Sequence, residues 1–142
     1  MASKVFLDAN CLLDVTLKRA GFQNANDIIQ LGINGDVQLY TTPAILHITA
    51  YFTSQAFTSR QTKQIILALL NDVRAIDCDH ATALIAINSS MDDTEDALQY
   101  YTALKFGIDY FISTDKKVKK TAIPQLPVYT AEEFLAEFNP DV

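Results

Sequence analysis

Short apolar runs alternate along the chain with longer stretches in which apolar residues return every three or four positions. Val5-Phe6-Leu7, Val37 to Thr41, Val73 to Ile76, Tyr110-Phe111-Ile112 and Val128-Tyr129 are of the first kind and predict strands. The stretches between them predict helices. The first runs from Asn10 to Lys18, with Leu12, Leu13, Val15 and Leu17 as its apolar positions. A second, capped by Asn24 or Asn26, carries Ile28, Ile29 and Leu31 and closes at the turn Asn34-Gly35-Asp36. Pro43 suits the first turn of a third, whose apolar face holds Ile45, Leu46, Ile48 and Tyr51 or Phe52.

Further helices are predicted from Ser59 to Leu70, from Asp79 to Asn88 (strongly apolar) and from Asp93 to Phe106, where Gly107 ends the pattern. The last opens on a capping box, Thr130 at the N-cap and Glu133 three residues on, followed by Phe134, Leu135 and Phe138. Strands alternating with helices, without hairpin turns, imply a parallel sheet covered by helices. No repeat, linker or low-complexity segment interrupts the rhythm, so one domain over 1–142 is expected.

Composition narrows the class. With 142 residues, 49% hydrophobic and 20% charged, the chain can bury one core and is not a disordered protein. Its 17 acids against 11 bases leave a net charge of −6, which argues against coating nucleic acid by charge alone. Two cysteines, Cys11 and Cys78, are too few for a disulfide framework, and both sit in apolar runs; buried thiols of a reducing compartment are expected. The longest apolar stretches, such as Ile65 to Leu70, fall far short of the roughly 20 residues of a membrane span. Asp8 follows only three apolar residues, too soon for a signal-peptide core, so a cytoplasmic protein without a membrane partner is expected.

Open parallel sheets place their sites at the carboxyl ends of strands. Asp8 ends the first strand, with Asn10 two residues on; Asp115 follows the fourth after Ser113 and Thr114. Asp92, Asp93, Glu95 and Asp96 gather where a helix begins, with Asp93 and Asp96 on one face. Each has an ordinary explanation, because acids cap helices and complement the helix dipole. If strands one and four are neighbours, however, three carboxylates converge. Such a pocket repels itself when empty and suits a hard divalent cation bound through oxygen.

The segment Val5-Phe6-Leu7-Asp8-Ala9-Asn10-Cys11-Leu12-Leu13-Asp14 resembles the opening D-x-N signature of PIN domains. Asp93-Thr94-Glu95-Asp96-Ala97-Leu98-Gln99-Tyr100-Tyr101 is similar to a helix of a bacterial branch of that family, close to the VapC-type toxins, and Ile112-Ser113-Thr114-Asp115-Lys116-Lys117 to its strand-four ending. The resemblance covers nearly the whole chain. It implies a three-layer α/β fold with a five-stranded parallel sheet ordered 3-2-1-4-5 and helices on both faces. It also implies a Mg²⁺- or Mn²⁺-dependent endoribonuclease and, by analogy, the toxin of a toxin–antitoxin pair. Carried over by position, Asp8, Asp96 and Asp115 are the metal and catalytic carboxylates, and Asn10, Ser113 and Asp93 support them.

One position departs from the family. Many PIN nucleases carry Glu on the helix after strand two, where this chain has Ile48 beside His47. That loss favours an alternative, a weakened PIN module that binds RNA or protein without cleaving. A phosphoryl-transfer enzyme with a strand-one Asp nucleophile is a third reading, opposed by Asn10 and by the lack of a strand-terminal Lys. Lys116, Lys117, Lys119 and Lys120, beside Asp115, are either a phosphate-contacting patch for RNA or a solvated loop. Of Tyr100 and Tyr101 at most one packs fully inward. The aromatic-rich stretch from Ala44 to Phe57 is expected to be core, with self-association (a homodimer) or antitoxin docking as its other use.

Overall fold

The computed structural model describes residues 2–138. Five strands, β1 (Ser3–Leu7), β2 (Val37–Thr41), β3 (Val73–Ala75), β4 (Tyr110–Ile112) and β5 (Val128–Tyr129), form one sheet in the order β3-β2-β1-β4-β5. Every pairing is parallel. Around it pack α1 (Ala9–Thr16), α2 (Phe22–Ile33), α3 (Pro43–Ala56), α4 (Ser59–Leu70), α5 (His80–Ile87), α6 (Thr94–Phe106), α7 (Lys116–Thr121) and α8 (Ala131–Glu137). This is the expected PIN-like architecture.

The central strands are apolar because both faces are covered. Val5, Phe6 and Leu7 are wholly buried, and Phe6 stacks on Phe111 of β4 with ring centroids 4.8 Å apart. Tyr100 of α6 packs on Phe111 and is itself buried, while Tyr101 stays half-buried. The Tyr100 hydroxyl donates to the Leu126 carbonyl at 2.7 Å and accepts from the Ile123 N–H at 2.9 Å, which ties α6 to the loop before β5. The β1–β4 register sets Leu7 beside Ile112, so Asp8 and Ser113 leave the sheet side by side.

Several expectations are corrected. The first helix ends at Thr16 rather than Lys18, because Lys18 takes a left-handed φ of 50° that no helix continues through. The second begins at Phe22 after Gly21, so Asn24 and Asn26 lie inside it and do not cap it. The lysine run forms α7, not a loop; only Val118 gives that six-residue helix a buried position, too little for a periodic pattern. Cys78 is exposed, since Asp77 and Asp79 hold its segment in solvent, whereas Cys11 is buried and its thiol is pushed up to about 12 by burial.

The apolar stretch from Ala44 to Phe57 is core only along Ile45, Thr49 and Thr53. Tyr51 is 57% exposed, and Phe52 and Phe57 are exposed as well. On α5, Leu84, Ile85 and Ile87 each keep more than half of their surface in solvent, at 54%, 58% and 57%.

Candidate active site

The site lies at the carboxyl end of the β1–β4 pair. Asp8 caps α1: its Oδ1 accepts from the Ala9 N–H at 2.8 Å, and its Oδ2 accepts from the Ser113 hydroxyl at 2.8 Å. The Ser113 oxygen in turn accepts from the Asp115 N–H at 3.0 Å, fixing the strand-four turn against strand one. Asp115 caps α7 through the Lys117 N–H at 2.8 Å. Asp93 caps α6 through the N–H of Asp96 at 2.9 Å. Three of the acids are therefore helix caps as well as site residues. Each cap bond uses one carboxylate oxygen, and in Asp8 the second oxygen is the one that Ser113 holds.

These side chains interact. Burial pushes the Asp96 carboxyl up to about 7, and the nearby carboxylates of Asp93, Asp115 and Asp8 push in the same direction. Burial also raises Asp8, against the pull of its bonds to Ala9 and Ser113 and with a smaller upward push from Asp115. A group of carboxylates that holds one of its members near neutral pH is charge-frustrated, and an oxygen-liganded divalent cation relieves that frustration. The donor set therefore fits Mg²⁺ or Mn²⁺ by its chemistry. Among the described residues, however, no three His, Cys, Asp or Glu side chains are already gathered as ligands.

A cavity of about 280 Å³ adjoins the acids, lined by Met91, Asp92, Asp93 and Asp96 on one side and by Lys117, Val118, Lys120 and Thr121 on the other. Lys119 turns elsewhere, its Nζ donating to both oxygens of Glu133 at 2.8 and 2.7 Å. His47 is exposed on α3 and Ile48 half-buried; neither lines the cavity. In the interior near the end of β2, the Thr42 hydroxyl donates to Gln99 Oε1, joining the N-cap of α3 to α6 one turn beyond Asp96.

Asn10 is exposed at the start of α1 and donates from Nδ2 to the Thr114 hydroxyl at 3.1 Å. Sequence reading missed Arg19 beside it, which donates from Nε to Asp14 Oδ1 at 2.9 Å and from Nη2 to the Asn10 carbonyl at 3.0 Å. Nothing in its residue type or spacing marks Arg19; only the folded-back turn before α2 brings it there.

A family model described as PIN domain matches residues 4–117. A solved chain from the crystal structure of VapBC2 from Rickettsia felis bound to a DNA fragment from their promoter superimposes with a TM-score of 0.68. The two are 15% identical, over 89% of this chain and 98% of that one, so the likeness concerns the fold. No curated protein matches the sequence. With four fifths of its length inside the family model, the chain belongs to the PIN-domain family.

Proposed function

We propose that the protein is a divalent-metal-dependent endoribonuclease and the toxin of a toxin–antitoxin pair. The observation that carries the reading is the gathering of Asp8, Asp93, Asp96 and Asp115 at the carboxyl end of the sheet, where burial first, and then the neighbouring carboxylates, raise the Asp96 carboxyl to about 7. Asp8, Asp96 and Asp115 would hold Mg²⁺ or Mn²⁺, with Asp93 outside them. The bound ion would polarise the scissile phosphate and lower the pKa of a water.

The chain's own residues supply the rest. Ser113 aims Asp8 by donating to its Oδ2, a bond that favours the carboxylate against the upward push of burial. Asp96, which lines the cavity beside Asp93, is the carboxylate suited to orient the attacking water. Lys116, Lys117 and Lys120 offer ammonium groups to RNA phosphates flanking the cut, at one local patch in an otherwise acidic protein. Lys119 is engaged by Glu133 and contributes least.

The partners follow from what the fold leaves uncovered. Beside the exposed Tyr51 and Phe52 of α3, Ala50 borders a cavity of about 350 Å³ whose other walls are Thr62, Lys63, Ile66 and Leu67, and the buried Thr62 hydroxyl has no partner among the described residues. An antitoxin is proposed to dock there, self-association of the chain being the other use of the same face. The relative of known structure is a VapBC2 assembly, which supports an antitoxin partner.

A second reading keeps the family and removes the activity: a module that binds RNA or protein without cleaving. Ile48, which supplies no carboxylate from α3, favours it. Incubation of RNA with the purified protein, after chelation and then with Mn²⁺ restored, separates the two. Cleavage that returns with Mn²⁺ supports the nuclease; Mn²⁺ binding without cleavage supports the binding module. No helix among the described residues is long and apolar enough to cross a membrane.

A further inference from the structure

We propose that Arg19 is a positioning residue that fixes the amide of Asn10 with its nitrogen toward Thr114, where its unpaired hydrogen meets the scissile phosphate of RNA. The proposal rests on the nuclease reading for its substrate, and on the hydrogen bonds around Asn10 for its geometry.

An asparagine amide can sit in two orientations that exchange its oxygen and nitrogen, and at an exposed position both are ordinarily open. Here the choice is made by charge. Arg19 has donors only, and its Nη2 donates to Asn10 Oδ1 at 3.4 Å as well as to the Asn10 carbonyl at 3.0 Å. The amide oxygen is thereby drawn to the guanidinium, which leaves Nδ2 to donate to Thr114 Oγ1 at 3.1 Å. Thr114 lies between Ser113, which donates to Asp8, and Asp115. Only one of the two Asn10 amide hydrogens has a partner among the described residues. The other is an open donor next to Thr114, in the turn that runs from Ser113 to Asp115, and such a donor suits a phosphate oxygen.

Three local features build this arrangement. Asp14 accepts from Arg19 Nε at 2.9 Å and so anchors the guanidinium plane. Lys18 adopts its left-handed φ of 50°, unusual for a long side chain, and turns the chain back over α1. Gly21, at the N-cap of α2, lets the returning turn touch Asp14, since a Cβ at that position would sit 2.2 Å from Asp14 Oδ2. A turn serving only to join two helices needs none of this convergence on Asn10.

The test uses the full chain, with Arg19→Ala, Arg19→Lys, Asn10→Ala and the Arg19→Ala/Asn10→Ala double variant. In Mn²⁺-supported RNA cleavage, Arg19→Ala is expected to lower kcat about 10- to 100-fold with KM nearly unchanged. Lysine should fail to restore kcat, because an ammonium paired with Asp14 cannot also hold the Asn10 oxygen. The double variant should be no slower than Asn10→Ala. Independently of activity, the side-chain amide resonances of Asn10 in a ¹⁵N spectrum should shift in both Arg19 variants. Additive losses in the double variant, full activity in Arg19→Lys, or unmoved Asn10 amide resonances would each overturn the proposal. A wild type that cleaves no RNA defeats the nuclease reading, and the amide resonances then decide the role of Arg19 alone.

Discussion

Ser113 donates its hydroxyl to Asp8 Oδ2 at 2.8 Å, joining the ends of the two central strands through a buried serine and a carboxylate whose pKa burial has raised. The parallel register that sets Leu7 beside Ile112 makes this bond unavoidable, so the sheet itself aims the first acid of the site.

Replacing that serine should therefore touch both the fold and the site. Ser113→Ala leaves Asp8 short of a donor and the Asp115 N–H without its acceptor. A loss of about 1–3 kcal/mol in stability is expected from chemical denaturation. Titration calorimetry with Mn²⁺ should show affinity falling about 10- to 100-fold, the scale for removing a group that orients a metal ligand. Unchanged Mn²⁺ affinity would mean that Asp8 is not a ligand.

The acidic cluster predicts an inverted pH profile for the metal-free protein. Folded Asp96 holds its proton to about pH 7, whereas the unfolded chain releases it near the ordinary 3.8, so the folded state binds more protons in between. Stability in chelator should consequently fall as pH rises from about 4 to 7, and Asp8 adds in the same direction. Denaturation midpoints in EDTA at several pH values check this. Saturating Mn²⁺ or the substitution Asp96→Asn should flatten the slope; a midpoint that climbs through this window in the metal-free protein contradicts the account.

The lysines of α7 should not behave alike. Lys117 and Lys120 line the cavity beside Asp93 and Asp96, whereas Lys119 is paired with Glu133. Each of Lys117→Ala and Lys120→Ala should reduce the salt dependence of RNA binding by about 0.7 in log–log slope, as expected for one lost phosphate contact to a single strand. Lys119→Ala should leave that slope in place. Binding isotherms at several salt concentrations read all three.

Tyr100→Phe separates structure from chemistry. The ring stays in the core against Phe111, but the Leu126 carbonyl and the Ile123 N–H lose their shared partner. A cost of about 1–3 kcal/mol in unfolding free energy is expected, with RNA cleavage by the folded fraction unchanged.

Much of this molecule was legible in its sequence, and for identifiable reasons. The apolar runs of β1 and β4 and the long pattern of α6 are strong because those elements are buried against the core. The adjacency of β1 and β4 is another matter, since periodicity reports faces and not neighbours; the resemblance of the Asp8 and Asp93–Asp96 segments to PIN domains supplied it. Sequence reading failed where a segment answers to something other than burial. Lys116–Thr121 is helical through the Asp115 cap and one buried valine. Lys18 and Gly21 bend the chain for a contact between Arg19 and the α1 turn that no local pattern announces. The exposed residues of α3 read as core because apolar surface left open has the same sequence pattern as apolar surface that is covered.

The most direct measurement is RNA cleavage with Mn²⁺ by the wild-type protein, by Asp8→Asn and by Asp96→Asn, each shown to be folded. The account predicts cleavage by the wild type and a loss of about 100-fold or more in both variants, the scale of removing one group that stabilises charge in the transition state. Equal cleavage by all three proteins would contradict it.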